Sequence, residues 1–197
     1  MAKPAHDYED FVHVGPATLA GRYMRTFWQP VAASRNVPTG KARRIKILGE
    51  FITLYRGVSG EIHAVDDRCP HRNTQLSAGW VEGENIRCFY HGWVFDGRGR
   101  CTEQPAEKNE NFASKVNVRA FPARDYLGLV FVYLGEGEAP ELPRYPEMED
   151  DSAGVLYANV EKTPIPCGFF QRVENAVDQA HLPFVHRVIN SGDKVYH

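Results

Sequence analysis

Apolar and polar positions alternate in short runs through the first two thirds of the chain. The first runs cover residues 31–34, 42–48, 51–55 and 62–65, broken at Pro38-Thr39-Gly40, Gly49-Glu50 and Val58-Ser59-Gly60. Runs of this length, punctuated by Gly and Pro, predict strands joined by tight turns. More strands are expected at 116–118, 119–124 and 127–134, and Phe95-Asp96-Gly97-Arg98-Gly99 reads as a hairpin turn. The predicted fold class is therefore mainly β, with antiparallel sheets over residues 28–135. Residues 1–27 read as a polar arm and a short helix in which Leu19, Tyr23 and Phe27 line one face.

The pattern changes twice downstream. Residues 136–152, with Pro140, Pro143 and Pro146 among acids, read as a semi-rigid, extended linker. Over 153–197 a helical period returns from Phe169 to Asp178, and Pro183 predicts a break near Leu182 and a fresh helix start.

Composition narrows the function classes. A chain of 197 residues, 43% hydrophobic, can bury a core. Its net charge of -2, from 23 basic and 25 acidic side chains, provides no global field for nucleic acid or an anionic membrane. Lys41, Arg43, Arg44 and Lys46 read as a solvated strand face, and Glu147, Glu149, Asp150 and Asp151 as solvated charge. The acidic start without an apolar stretch, and free thiols at Cys101 and Cys167, lead to the expectation of a cytoplasmic protein outside the membrane.

The candidate chemistry lies in Cys69-Pro70-His71 and Cys88-Phe89-Tyr90-His91-Gly92-Trp93, with sixteen residues between the two Cys/His pairs. Structural zinc usually takes pairs of like ligands, whereas here each loop offers one thiolate and one imidazole. That mixture suits a 2Fe-2S cluster in which one iron takes both Cys69 and Cys88 and the other both His71 and His91. Two neutral imidazoles in place of two thiolates leave the cluster less negative and raise its reduction potential. Structural zinc remains the alternative on ligand chemistry alone.

Cys69-x-His71 and Cys88-x2-His91-Gly92-Trp93 resemble the Rieske domain of the Rieske non-haem iron oxygenases. Respiratory-chain Rieske proteins carry an extra disulfide between the cluster loops. The corresponding positions here are Thr74 and Tyr90, which places the expected potential toward the low end of the Rieske range. Downstream, Glu174-Asn175-x2-Asp178-x2-His181-x4-His186 is similar to the opening of the same family's catalytic domain, an α+β (helix-grip-like) fold of which 153–197 would be an incomplete start.

The resemblance implies that His181 and His186 bind a mononuclear iron(II), with a third carboxylate ligand expected farther along than His197. It further implies that Asp178 is not a ligand but the bridge from His181 to a Rieske histidine of a neighbouring subunit. The implied function is the oxygenase component, N-terminal portion, of a Rieske mono- or dioxygenase. An NAD(P)H-dependent reductase, directly or through a ferredoxin, would supply electrons for O2-dependent hydroxylation or demethylation of an organic, often aromatic, substrate, in a homotrimer. The rival is a non-catalytic Rieske ferredoxin-like electron carrier.

Overall fold

The computed structural model describes residues 11–109, 111–150 and 167–186. The short apolar runs form strands β1 (Trp28–Ala33), β2 (Ala42–Ile47), β3 (Glu50–Arg56), β4 (Ile62–Asp66), β5 (Trp80–Glu82) and β6 (Asn85–Arg87). They are followed by β7 (Val94–Phe95), β8 (Cys101–Glu103), β9 (Ala120–Phe121), β10 (Ala123–Tyr126) and β11 (Leu129–Tyr133). These make three antiparallel sheets, ordered β1-β11-β10, β2-β3-β4-β9 and β5-β6-β7-β8.

In the middle sheet β3 is buried on both faces at Ile52, Thr53, Leu54 and Tyr55. Along β3, Ile52 and Leu54 point into one core with Ala123, Val130 and Val132, while Tyr55 points into a second core with Leu76, Ile86 and Phe95. The two-residue period of a strand lets one apolar run serve both layers. Each fully buried Ile, Leu or Phe is worth about 1.5–3 kcal/mol, so the second core is a firm platform for the loops that carry the cysteines.

Several boundaries differ from the sequence reading. Ile47 pairs with Glu50, so the β2–β3 turn is Leu48-Gly49, both at positive φ (45° and 82°), one residue earlier than the expected Gly49-Glu50. Leu48 accepts that conformation with its side chain buried and its carbonyl taking a hydrogen bond from Arg25 at 2.7 Å. Leu127 and Gly128, inside the apolar run 127–134, are likewise a turn (φ 48° and 76°). Pro122, which has no N–H to give a ladder, separates β9 from β10. The expected strand at 116–118 is a single bridge, Asn117 to Arg100.

Helix α1 (Leu19–Arg25) is capped by Thr18, whose Oγ1 accepts from the Gly21 N–H at 3.0 Å. It stops at Arg25, short of Phe27, the last residue of the expected face, and Trp28 starts β1. Leu19, Tyr23 and Phe27 are exposed, and the helix is anchored instead by buried Arg25, which donates to Val14 O (2.9 Å) and Gly21 O (3.0 Å) and pairs with Glu50 (2.8 Å).

The stretch expected to be an extended linker folds back on the first sheet. Trp28 Nε1 donates to the Pro140 carbonyl at 2.8 Å, and helix α2 (Pro146–Glu149) is held because Tyr126 Oη and Arg144 Nε both donate to Glu149 Oε1 at 2.8 Å. Glu149 is thus an ion-pair partner and not simply solvated; Asp151 lies outside the described residues. Helices α3 (Phe169–Val177) and α4 (Leu182–Val185) complete the described elements.

Candidate metal centre

The two cysteine loops are built on one plan. The Cys69 N–H donates to the Thr74 carbonyl and the Asn73 N–H to the Cys69 carbonyl, each at 2.8 Å. The Cys88 N–H donates to the Trp93 carbonyl at 2.8 Å and the Gly92 N–H to the Cys88 carbonyl at 3.0 Å. In each loop the fourth residue after the cysteine adopts positive φ: Asn73 at 57° and Gly92 at 73°. Glycine tolerates this region freely, and asparagine is several-fold enriched there.

These turns bring the four predicted residues together. Cys69 and Cys88 are buried in the same core, and Cys88 lies within hydrogen-bonding reach of Cys69. The His71 and His91 ring centroids are 4.4 Å apart. Trp93, also buried, stacks on His71 at 4.7 Å and nearly parallel, 6° between planes. Trp93 thus covers the site from one side, whereas Pro70 is exposed and Tyr90 lies against His91, at 3.9 Å, with its outer face in solvent.

Burial holds Cys69 and His71 in their neutral forms. Burial, and then the neighbouring Cys88, push the Cys69 thiol up to about 11. Burial, followed by the adjacent His91 and Arg72, holds His71 below its ordinary value, in the neutral form that ligates metal. His71 Nδ1 is buried without a hydrogen-bond partner, a cost seldom left unmet. Two poorly solvated thiols and two adjacent imidazoles, one with an orphaned nitrogen, are the donor set a 2Fe-2S cluster would satisfy.

Two supports were not read from the sequence. Asp67, fully buried just before Cys69, accepts on Oδ1 from Thr53 Oγ1 (2.8 Å) and from Ser77 Oγ (2.6 Å) and N (3.3 Å). Its Oδ2 lies 2.7 Å from Arg44 Nε, although the N–H is not aimed along that line, so the contact is an ion pair without a formed hydrogen bond. Arg44 is therefore not the solvated strand charge expected. Arg87, next to Cys88, donates from Nη1 to the Gly92 carbonyl at 2.8 Å, from Nη2 to Glu103 at 2.8 Å, and from Nε to both Glu82 oxygens at 2.8 and 2.9 Å. Charged residues adjoining a cysteine were the available signal, but only folding reveals their partners.

In the downstream motif, α3 ends at Val177, so Asp178 is its C-cap with extended backbone (φ -78°, ψ 99°) and not on a shared helix face with His181. The break precedes the expected one: His181 caps α4, and Pro183 occupies its first turn. Bending the chain there brings the His181 and His186 ring centroids to 5.4 Å, with Asp178 Oδ2 3.3 Å from His181 Nδ1. Among the described residues, Asp178, His181 and His186 do not bring one donor atom each within 4.8 Å of one another. His181 thus has Asp178 on one side and His186 near it on the other, without the three forming a single donor cluster. Asp193, the acid closest after His186, lies outside the described residues.

A separate group, Glu61, His63 and Glu84, also converges, but its atoms serve one another: His63 Nε2 lies 3.0 Å from Glu84 Oε2, and Glu84 Oε1 accepts from the Ser59 N–H at 2.8 Å. Among the described residues no helix is long and apolar enough to cross a membrane.

Residues 27–124 match the Rieske [2Fe-2S] domain. The chain is 35% identical over 186 residues to the 5,5'-dehydrodivanillate O-demethylase oxygenase subunit of a Sphingobium species, covering 92% of this chain and 43% of the relative. It is 37% identical over 196 residues to phenoxybenzoate dioxygenase subunit alpha of Ectopseudomonas oleovorans, covering 93% and 48%. Among solved structures it is similar to dicamba monooxygenase (30% identity, 66% of this chain, 41% of that one, TM-score 0.59). It is also similar to the terminal oxygenase of carbazole 1,9a-dioxygenase from Novosphingobium sp. KA1 (29% identity, 70% and 35%, TM-score 0.59). The chain thus spans less than half the length of these relatives.

Proposed function

The chain belongs to the Rieske family, and from that premise we propose that it acts in the oxygenase component of a Rieske non-haem iron oxygenase. Cys69 and Cys88 would hold one iron of a 2Fe-2S cluster and His71 and His91 the other. His181 and His186 would supply two of three protein ligands to a mononuclear iron. The cluster, when bound, supplies one-electron relay, and the mononuclear iron supplies O2 activation for hydroxylation or demethylation of an organic, often aromatic, substrate.

The chain's own residues set the conditions for that chemistry. The two matched turns fix the thiols inside the second core, where water is excluded. Trp93 orients the His71 ring from one side, while Tyr90 leaves the other histidine close to the surface, where electrons enter and leave. Asp178, beside His181 and more than half exposed, is free to reach His91 of the partner subunit and so to join the two metal sites across a trimer interface. The electron source is an NAD(P)H-dependent reductase, directly or through a ferredoxin, in the cytoplasm.

The observation that carries this reading is the convergence of two buried cysteines and two adjacent histidines on twin turns. Iron and sulfide analysis with EPR of the reduced protein tests it: two irons and two sulfides per cluster and a Rieske-type signal are expected. That signal should be lost in His71→Ala and in His91→Ala. A colourless, EPR-silent protein containing zinc would overturn it. The rival electron-carrier reading predicts two irons per chain, against three when the mononuclear site is filled.

A further inference from the structure

Arg87 precedes Cys88 and reaches across its loop, as Arg68 before Cys69 does by donating to the Asn73 carbonyl at 2.8 Å, but Arg87 is held by two carboxylates as well. Its side chain is 20% exposed and is gripped by Glu82 and Glu103, on strands either side of the loop, while its remaining arm donates to the Gly92 carbonyl. Gly92 lies between His91 and Trp93, and Arg87 adjoins Cys88 in sequence. One guanidinium therefore ties together both ends of the Cys88 loop. The cation is thus fixed in place by two carboxylates and one backbone carbonyl. Gly92 itself stands at positive φ (73°), where a Cβ would press on Pro105 Cγ at 3.3 Å.

We infer that Arg87 is a positioning residue that sets the reduction potential of the cluster, with Glu82 and Glu103 opposing it. The inference rests on the reading that Cys88 and His91 are ligands. Reduction adds a negative charge to the cluster. A fixed cation next to Cys88 favours the reduced form and raises the potential, while the two carboxylates do the reverse. Arg87 also constrains the His91 ring through Gly92, which is how residues outside the ligand set tune metal centres.

The sign of the effect separates charge tuning from a purely structural clamp. The test uses the full chain with its cluster in place and measures the midpoint potential, with EPR of the reduced state, for wild type, Arg87→Met, Arg87→Lys and Glu82→Gln/Glu103→Gln. Arg87→Met should lower the potential, because two carboxylates then stand uncompensated, and should broaden the EPR signal as the His91 loop loosens. Arg87→Lys should restore most of the potential. Glu82→Gln/Glu103→Gln, which keeps the bond to Gly92, should raise it, and this rise should shrink at high salt because both carboxylates are about half exposed.

Shifts in one direction for the methionine and glutamine variants, or potentials equal to wild type in both, would overturn the inference. If Arg87→Met fails to assemble a cluster, the lysine and glutamine variants decide by the same signs. A wild-type protein without a Rieske signal would defeat the ligand assignment first, and this inference with it.

Discussion

Asp67→Ala is the most informative single change. The carboxylate is fully buried, accepts hydrogen bonds from Thr53 and Ser77, and faces Arg44 at 2.7 Å. Removing it leaves a hydroxyl pair and a guanidinium without their anion in a site water does not reach. Breaking a buried charged pair by deleting one partner costs about 3–5 kcal/mol. Because the Arg44 side chain is 30% exposed, the lower half of that range is expected, with most of the loss from the hydroxyl and amide donors. For a domain of this size that lower half, about 3–4 kcal/mol, corresponds to a fall in melting temperature of about 6–16 °C.

Asp67→Asn keeps an acceptor for Thr53 and Ser77 and loses only the charge, for about 1–3 kcal/mol. Denaturant unfolding at equal cluster occupancy measures both, since bound metal itself stabilises the folded state. The Asp67 carboxylate also ties the start of the first loop to Ser77 beyond its end, so iron content should fall in step with stability. An Asp67→Ala protein within about 1 kcal/mol of wild type, or no less stable than Asp67→Asn, would refute the reasoning.

Other predictions follow from single contacts. Burial disfavours the Glu50 carboxylate, but Arg119 and Arg25 outweigh it and hold its pKa below the ordinary value; its stabilisation is therefore present above about pH 4.3 and lost as pH falls through the folded-state pKa. Acid titration of Glu50→Gln should start from a lower stability at neutral pH and fall less steeply below about pH 4; parallel curves would count against the pairing. Gly21→Ala would ordinarily strengthen a helix by about 1 kcal/mol. Here the added Cβ would overlap the Gly15 carbonyl and the Val14 backbone, so calorimetry should show a loss of about 1–3 kcal/mol, and a gain would contradict the docking of α1. Ile86→Ala, at a fully buried position under the loops, should cost about 2–5 kcal/mol and lower cluster content; full iron occupancy in a destabilised variant would separate the core from the site.

The sequence by itself determined the donor chemistry and the alternation that makes the sheets. Cys69, His71, Cys88 and His91 are recognisable because each loop must deliver one sulfur and one nitrogen over a short span, and local spacing is preserved on folding. The break that lets His181 meet His186 was legible only in part: Pro183 marked the fresh helix start, but the chain leaves the preceding helix already at Asp178. Only the tertiary structure decided where the backbone turned left-handed at Leu48 and Leu127; at Leu48, burial and a long-range hydrogen bond from Arg25 outweigh what a leucine prefers alone. It also decided that Arg44 meets Asp67, that Arg87 reaches Gly92 and that the proline-rich stretch lies back on Trp28. Those pairings join residues that no periodicity relates, and their energy exists only once the surrounding core has excluded water.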